Sequence, residues 1–186
     1  NVTDSSGQNN NGYMKNFTST STAVTAGKLG QGLKFDGVDD CVTNDVVSIA
    51  SYPKTIAQWV YDSAGIDQFD DSMSINEYKV NMSRINWIPN GDNLELTYFA
   101  STGNGGAIYD TLLSDFINKW HHLVGVSYSA TDHRLFVDGV QVASDTTTAD
   151  NFTSNRFAAG CRYWEVIEQA WKGSLDDVRV YNRALT

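Results

Sequence analysis

Trp120-His121-His122-Leu123-Val124-Gly125-Val126-Ser127-Tyr128 alternates with a period of two, and Arg134-Leu135-Phe136-Val137-Asp138-Gly139-Val140-Gln141-Val142-Ala143 follows after five intervening residues. A period of two belongs to an extended strand, because successive side chains point to opposite faces. In the first stretch one face collects Trp120, His122, Val124, Val126 and Tyr128 and is strongly apolar; the other carries His121, Leu123, Gly125 and Ser127. In the second, Asp138-Gly139 lies between two β-rich runs. A type I′ turn needs positive φ at both central positions, and this dipeptide supplies it, so the stretch predicts a tight hairpin.

Outward from this hairpin, further strands are predicted at Gly32 to Phe35, Cys41 to Asn44, Thr55 to Tyr61, Lys79 to Trp87, Leu94 to Ala100, Arg156 to Arg162 and Ser174 to Tyr181. Asp36-Gly37, Pro89-Asn90-Gly91-Asp92 and Gly103-Asn104-Gly105-Gly106 punctuate them as turns. A helical turn is predicted between Asp110 and Lys119, and no segment supports a long amphipathic helix. Many short strands at this spacing predict an all-β fold, a two-sheet antiparallel β-sandwich of jelly-roll type. With 186 residues, 41% of them hydrophobic, the chain is expected to form one domain over residues 1–186 with its own core.

The net charge is −9, with eighteen Asp against four Glu. An acidic surface repels phosphate backbones and anionic headgroups, so neither nucleic acid nor membrane insertion is expected. Apolar runs fall far short of the ~20 residues needed to cross a bilayer. Asp suits both loop turns and calcium, a hard cation that takes oxygen ligands. Cys41 and Cys161 are too far apart in sequence for a metal-binding pair; they form either one disulfide or two buried thiols. Four sequons begin at Asn1, Asn16, Asn81 and Asn151.

Several stretches resemble the laminin-G-like jelly rolls of the concanavalin A-like lectin/glucanase superfamily, in the bacterial branch found beside glycan-active enzymes. Gly30 to Val42 is similar to G-x-x-L-x-F-D-G-x-x-D-Y-V, with Cys41 where Tyr is usual. Thr55 to Val60 resembles T-I-S-x-W-V, Trp120 to Val124 resembles W-H-H-V-A, and Leu135 to Gly139 resembles L-Y-V-D-G. The stretch Gly173 to Leu185 is close to G-x-I-D-D-V-R-I-Y-N-R-A-L, and Asp4 to Gly7 resembles D-x-S-G. The resemblance implies a secreted or cell-surface, non-catalytic carbohydrate-binding module directed at a polysaccharide or glycan, one part of a larger multidomain protein. It also implies a structural calcium between the N-terminal segment and the last strand. Asp176 or Asp177 would ligate it, joined by Asp4 and by Asn9 in the run of asparagines. Two other readings stay open: Asp36, Asp39 and Asp40 serve as turn residues or add to the site, and Asp177 merely pairs with Arg179 or Arg183.

Sugar recognition calls for flat aromatic faces beside hydrogen-bonding groups. Trp59, Trp120 and Trp171 are expected in the core by their positions, which leaves Trp164 and Trp87. Trp164 lies in Cys161-Arg162-Tyr163-Trp164-Glu165-Val166-Ile167-Glu168, where Arg162, Tyr163, Trp164 and Glu165 are the candidate contacts. The alternative is that Tyr163 and Trp164 pack under their own loop. Trp87, with Tyr78 or Tyr98, is a second candidate platform. Glu165 and Glu168 are spaced i and i+3, which a regular strand points to opposite faces, and the glucanase acids E-x-D-x-E are missing. Catalysis is therefore not expected. The competing classes are a calcium-dependent protein-binding adhesion domain and, behind it, a jelly-roll glycosidase or polysaccharide lyase.

Overall fold

The computed structural model describes residues 1–50, 52–62, 69–77, 81–100, 106–151 and 153–186. In chain order the first elements are β1 (Tyr13–Lys15), α1 (Thr20–Ala23), β2 (Val24–Ala26), β3 (Gln31–Asp36), β4 (Cys41–Asn44), β5 (Ile49–Ala50) and β6 (Lys54–Tyr61). The middle of the chain gives β7 (Asp70–Glu77), β8 (Asn81–Asn90), β9 (Asn93–Phe99), β10 (Gly106–Leu112), α2 (Leu113–Phe116) and β11 (Trp120–Ser129). The remainder gives β12 (Asp132–Val137), β13 (Val140–Asp145), β14 (Thr153–Ser154), β15 (Arg156–Ala159), β16 (Arg162–Tyr163), β17 (Ile167–Glu168) and β18 (Lys172–Tyr181).

Two seven-stranded antiparallel sheets form the sandwich: sheet one in the order β1-β4-β15-β7-β8-β9-β10, sheet two in the order β13-β12-β11-β6-β18-β3-β2. The predicted hairpin closes at Asp138 and Gly139, whose φ values of 51° and 83° are those a type I′ turn requires. Met73, Ile75, Ile85, Leu94 and Leu96 from sheet one meet Phe35, Ile56, Val60, Leu123 and Leu135 from sheet two in a continuous core. Trp171, expected inside, is fully buried there.

The faces of β11 differ from the expectation. The side that points inward is the one with His121, Leu123, Gly125 and Ser127. A Cβ on Gly125 would lie 2.3 Å from the Tyr98 ring of sheet one, so glycine is what lets the two sheets close at this point. The Tyr98 hydroxyl meets Ser127 Oγ at 2.7 Å, and His133 Nδ1 sits 3.0 Å from the same oxygen. Inside too lies Lys54, which donates to Ser83 Oγ; burial brings its pKa down to about 7.

The apolar side of β11 faces outward. Trp120 lies opposite Tyr61 and His122 opposite Trp59 in the β11–β6 register. Their rings meet across the strands at 5.5 Å and 4.9 Å. Trp59 and Trp120 are thus half-buried surface residues and not core residues. Their apolar area is sheltered from above: Lys28 Nζ stands 4.7 Å over Trp59. Lower on the same face the C-terminal tail crosses the sheet, with Thr55 Oγ1 donating to the Arg183 carbonyl and Tyr128 Oη to that of Leu185. This roof explains how strands that read as core can carry tryptophan on their outer side.

Candidate functional site

The last segment of β15 leaves sheet one at Gly160, where φ is 78° and a Cβ would fall 2.2 Å from the Phe35 ring. Cys161 follows and is disulfide-bonded to Cys41 of β4, with Cα atoms 5.6 Å apart, which decides between the two readings of the cysteines. From this anchor β16 and β17 form a short hairpin, with Arg162 opposite Glu168 and Tyr163 opposite Ile167. The hairpin lies over the outer face of sheet one. Ser74 Oγ donates to the Cys161 carbonyl and Asn76 Nδ2 to that of Tyr163.

Alternation divides the hairpin side chains. Tyr163 points down onto Cys41, Ala158 and Cys161 in a small cluster separate from the main core, with Ile167 beside it. Lys15 Nζ covers its ring at 4.8 Å and bonds its hydroxyl at 3.3 Å. Tyr163 is therefore an anchor under its own loop and offers no face to a sugar. Arg162 and Trp164 point the other way. Together with Val166 and Glu168 they line a depression of about 380 Å³. Trp164 is half-buried, and Val166 is 60% exposed. Arg162 Nη2 donates to Glu168 Oε2 at 2.6 Å, and its guanidinium lies 6.0 Å from the Trp164 ring. Glu165 stands exposed at the tip with a φ of 118°.

Below the hairpin the outer face of sheet one is polar. Arg84 Nη1 reaches Gln169 Oε1 at 3.1 Å and Asp71 Oδ2 at 3.4 Å, while Asn86 Nδ2 donates to Asp71 Oδ1 at 2.9 Å. Burial raises the pKa of Asp71, and the neighbouring charges of Arg84 and Arg162 and the bond from Asn86 oppose that rise. Arg84 and Gln169 were not among the candidates. The sequence does carry a signal for the first: once Ile85 and Trp87 are assigned inward, Arg84 and Asn86 must face out.

Trp87 is corrected. It is 1% exposed, because its position on β8 points it into the sandwich. There its ring packs 4.8 Å from Trp171 and 5.8 Å from Phe116, and Nε1 donates to Ser72 Oγ. Tyr98 is buried in the same way, and Tyr78 lies outside the described residues.

The calcium ligands proposed from the resemblance are not gathered into one shell. Asp4 closes its own turn, accepting bonds from Ser6 N, Ser6 Oγ and Asn10 N, and these bonds lower its pKa. Asn9, in that turn, has a φ of 60°. Asp176 accepts from the amides of Leu29 and Asp177. Asp177 is already paired with a cation, Arg179, at 2.7 Å. Among the described residues, Asp4, Asp176 and Asp177 do not form a group of three carboxylates within 4.8 Å of one another. Among the described residues, the group of three carboxylates within 4.8 Å of one another is Asp36, Asp39 and Asp40. Burial and the charges of Asp36 and Asp39 raise the pKa of Asp40.

The profile of the concanavalin A-like lectin/glucanases superfamily matches residues 35–186, most of the chain. The chain belongs to this superfamily. No curated protein matches it. Among solved structures, domain 4 of AbnA, a GH43 extracellular arabinanase from Geobacillus stearothermophilus solved in complex with arabinotriose, is 18% identical with a TM-score of 0.67, covering 100% of this chain and 88% of that one. A heptameric SAP-like pentraxin from Limulus polyphemus is 14% identical with a TM-score of 0.63, covering 82% of this chain and 76% of that one. The binding domain of Paraclostridial Mosquitocidal Protein 1 is 17% identical with a TM-score of 0.67, covering 99% of this chain but 47% of that one. At these identities the likeness is one of fold.

Proposed function

We propose that the chain is a non-catalytic, extracellular carbohydrate-binding module that holds a polysaccharide against the β16–β17 hairpin, as one part of a larger protein. The observation that carries the reading is the half-open Trp164 ring beside the paired Arg162 and Glu168, set on a hairpin that a disulfide fixes to the sheet. A flat ring offers stacking to the C–H face of a sugar, and the charged pair offers donors and acceptors to its hydroxyls. The reading is supported by the arabinotriose-bound arabinanase domain and the toxin binding domain among the fold neighbours. The disulfide suits an oxidising, extracellular setting.

A structural calcium stays within this proposal, placed away from the sugar at the turn of Asp36, Asp39 and Asp40, where a cation would relieve mutual repulsion. Millimolar calcium is expected to raise the melting temperature, and the double variant Asp36→Asn/Asp39→Asn to abolish that rise.

The test of the main reading is a glycan array followed by titration of the strongest hit, with Trp164→Ala alongside. Binding weakened at least tenfold by the substitution supports the module. A clean negative across plant, bacterial and animal glycans sinks it and favours a protein-binding adhesion domain. Turnover of a polysaccharide abolished by Glu165→Gln or Glu168→Gln would make the chain an enzyme.

A further inference from the structure

The outer face of sheet one holds a second depression, of about 420 Å³, lined by Asn90, Asn93, Asp110, Thr111 and Leu112. The register places it on the same side as Arg84. Arg84 lies opposite Phe99, Asn86 opposite Thr97, Ile88 opposite Glu95 and Asn90 opposite Asn93. Every second residue of β8 therefore shares one face with its partners. The next strand continues those rows, with Ile108 beside Thr97, Asp110 beside Glu95 and Leu112 beside Asn93.

Two properties make this depression suited to a sugar. Among the described residues, no hydrogen bond or ion pair within the protein engages the side chains of Asn90, Asn93 or Asp110, so two carboxamides and one carboxylate face solvent at full capacity. Leu112, which is 51% exposed, supplies an apolar patch beside them. Carboxamides and a carboxylate around a small apolar surface match the alternating hydroxyl and C–H surface of a neutral glycan. A single carboxylate is too little for a metal cage.

The distance between the two depressions sets the ligand. Arg84, at the foot of the hairpin beside Gln169, and Asn90 are six residues apart on one strand, ~20 Å at the usual rise. One sugar ring cannot touch both ends, whereas a chain of several rings can. Between them Asn86 and Thr97 lie buried at the hairpin end, and the surface continues over half-buried Ile88 and Glu95 and over Ile108, 50% exposed, on the edge strand. We infer that the second depression is the distal subsite of one groove, so that the ligand is a linear neutral oligosaccharide held along β8–β10 by its interior, not by a terminal sugar. This inference rests on the carbohydrate reading above.

The test is calorimetric titration with arabino-, xylo-, gluco- and manno-oligosaccharides, each from disaccharide to hexasaccharide. It compares the unaltered protein, Trp164→Ala, and the triple variant Asn90→Ala/Asn93→Ala/Asp110→Ala. The three substituted side chains are exposed, and circular dichroism checks the fold. Affinity of the unaltered protein is expected to rise at least tenfold from disaccharide to hexasaccharide in the series it recognises. The triple variant should bind the hexasaccharide no better than the disaccharide, while Trp164→Ala weakens every length. Binding that depends on Trp164 but is flat with chain length, or a triple variant equal to the unaltered protein on the hexasaccharide, overturns the distal subsite alone. Absence of binding to every series by the unaltered protein overturns the carbohydrate reading together with it.

Discussion

The hairpin over sheet one and the aromatic face of sheet two both present half-buried tryptophan to solvent, yet the rings are held in opposite ways. Trp59 and Trp120 stand in central strands, each locked against a ring on the neighbouring strand, and Lys28 covers the first. Trp164 stands at the turn of a two-strand loop whose footing is a small cluster around one disulfide. A ring caught in a cross-strand ladder spends its contacts on the sheet. The ring on the hairpin keeps a face for a ligand. Exposure alone does not separate the two regions; what each ring already touches does.

The largest effect expected from this contrast comes from the hairpin's footing. Replacing the disulfide in Cys41→Ala/Cys161→Ala should lower stability by about 4 kcal/mol, because the bond closes a loop of 120 residues in the unfolded chain. Chemical denaturation measures this loss. Glycan affinity should fall in the same variant while the sandwich remains folded, since Arg162 and Trp164 follow directly on Cys161. Retention of full affinity would mean that Ser74 and Asn76, through their bonds to the hairpin carbonyls, position it without the bond.

Next comes the ladder. Trp59→Ala and Trp120→Ala should each cost about 2 kcal/mol, less than the 3–5 kcal/mol typical of a fully buried tryptophan, because part of each ring is already in water. Both variants should bind glycan as the unaltered protein does. A loss of binding without a loss of stability would move the site to sheet two and break the comparison.

The sandwich was legible because turn chemistry and period-two alternation agree at Asp138-Gly139 and along β3, β4, β6, β11 and β18. The strands missed are instructive. Asp70–Glu77 reads as Asp-Asp-Ser-Met-Ser-Ile-Asn-Glu, too polar for a strand, because its outer side chains are buried under the hairpin and bonded to it. The alternation of β11 was legible, but not which side faced in. Gly125 and Ser127 look unfit for a core until Tyr98 from the other sheet fills the space above the glycine and bonds the serine. At the candidate site, Arg162, Trp164 and Glu165 were named for their chemistry and Glu168 only as half of a catalytic pair, whereas the structure lines one depression with Arg162, Trp164, Val166 and Glu168. The packing of Tyr163 under its loop was one of two open readings, and the burial of Trp87 was not foreseen. Parity along a strand decides both, and parity depends on where the strand begins.

A smaller effect belongs to Trp164 itself. Trp164→Ala should leave the free energy of unfolding within about 0.5 kcal/mol of the unaltered protein, as surface substitutions generally do. It should still cost the tenfold in affinity expected above, about 1.4 kcal/mol. A large destabilisation would mean that the ring is structural, and the two regions would then differ in degree only.

The smallest effect is the dependence on pH that the ladder contributes. Burial lowers the pKa of His122 beneath its ordinary value, against the opposing pull of Asp177 and Asp138. The unfolded chain therefore takes up a proton near pH 6.5, where the folded chain resists it. The His122 contribution is fully present above that pH and is lost as pH falls from there through the folded pKa. The ring is partly open to water, so screening keeps the loss small. Denaturation at pH 7.5 and pH 5 should show the difference, and His122→Gln should reduce it, leaving the share of buried Lys54, which takes up its proton near pH 7 in the folded chain. The hairpin carries no histidine, so glycan affinity should stay level over the same range. If affinity instead followed the His122 titration, the aromatic ladder would be coupled to the site on the opposite sheet, and the separation argued from packing would fail.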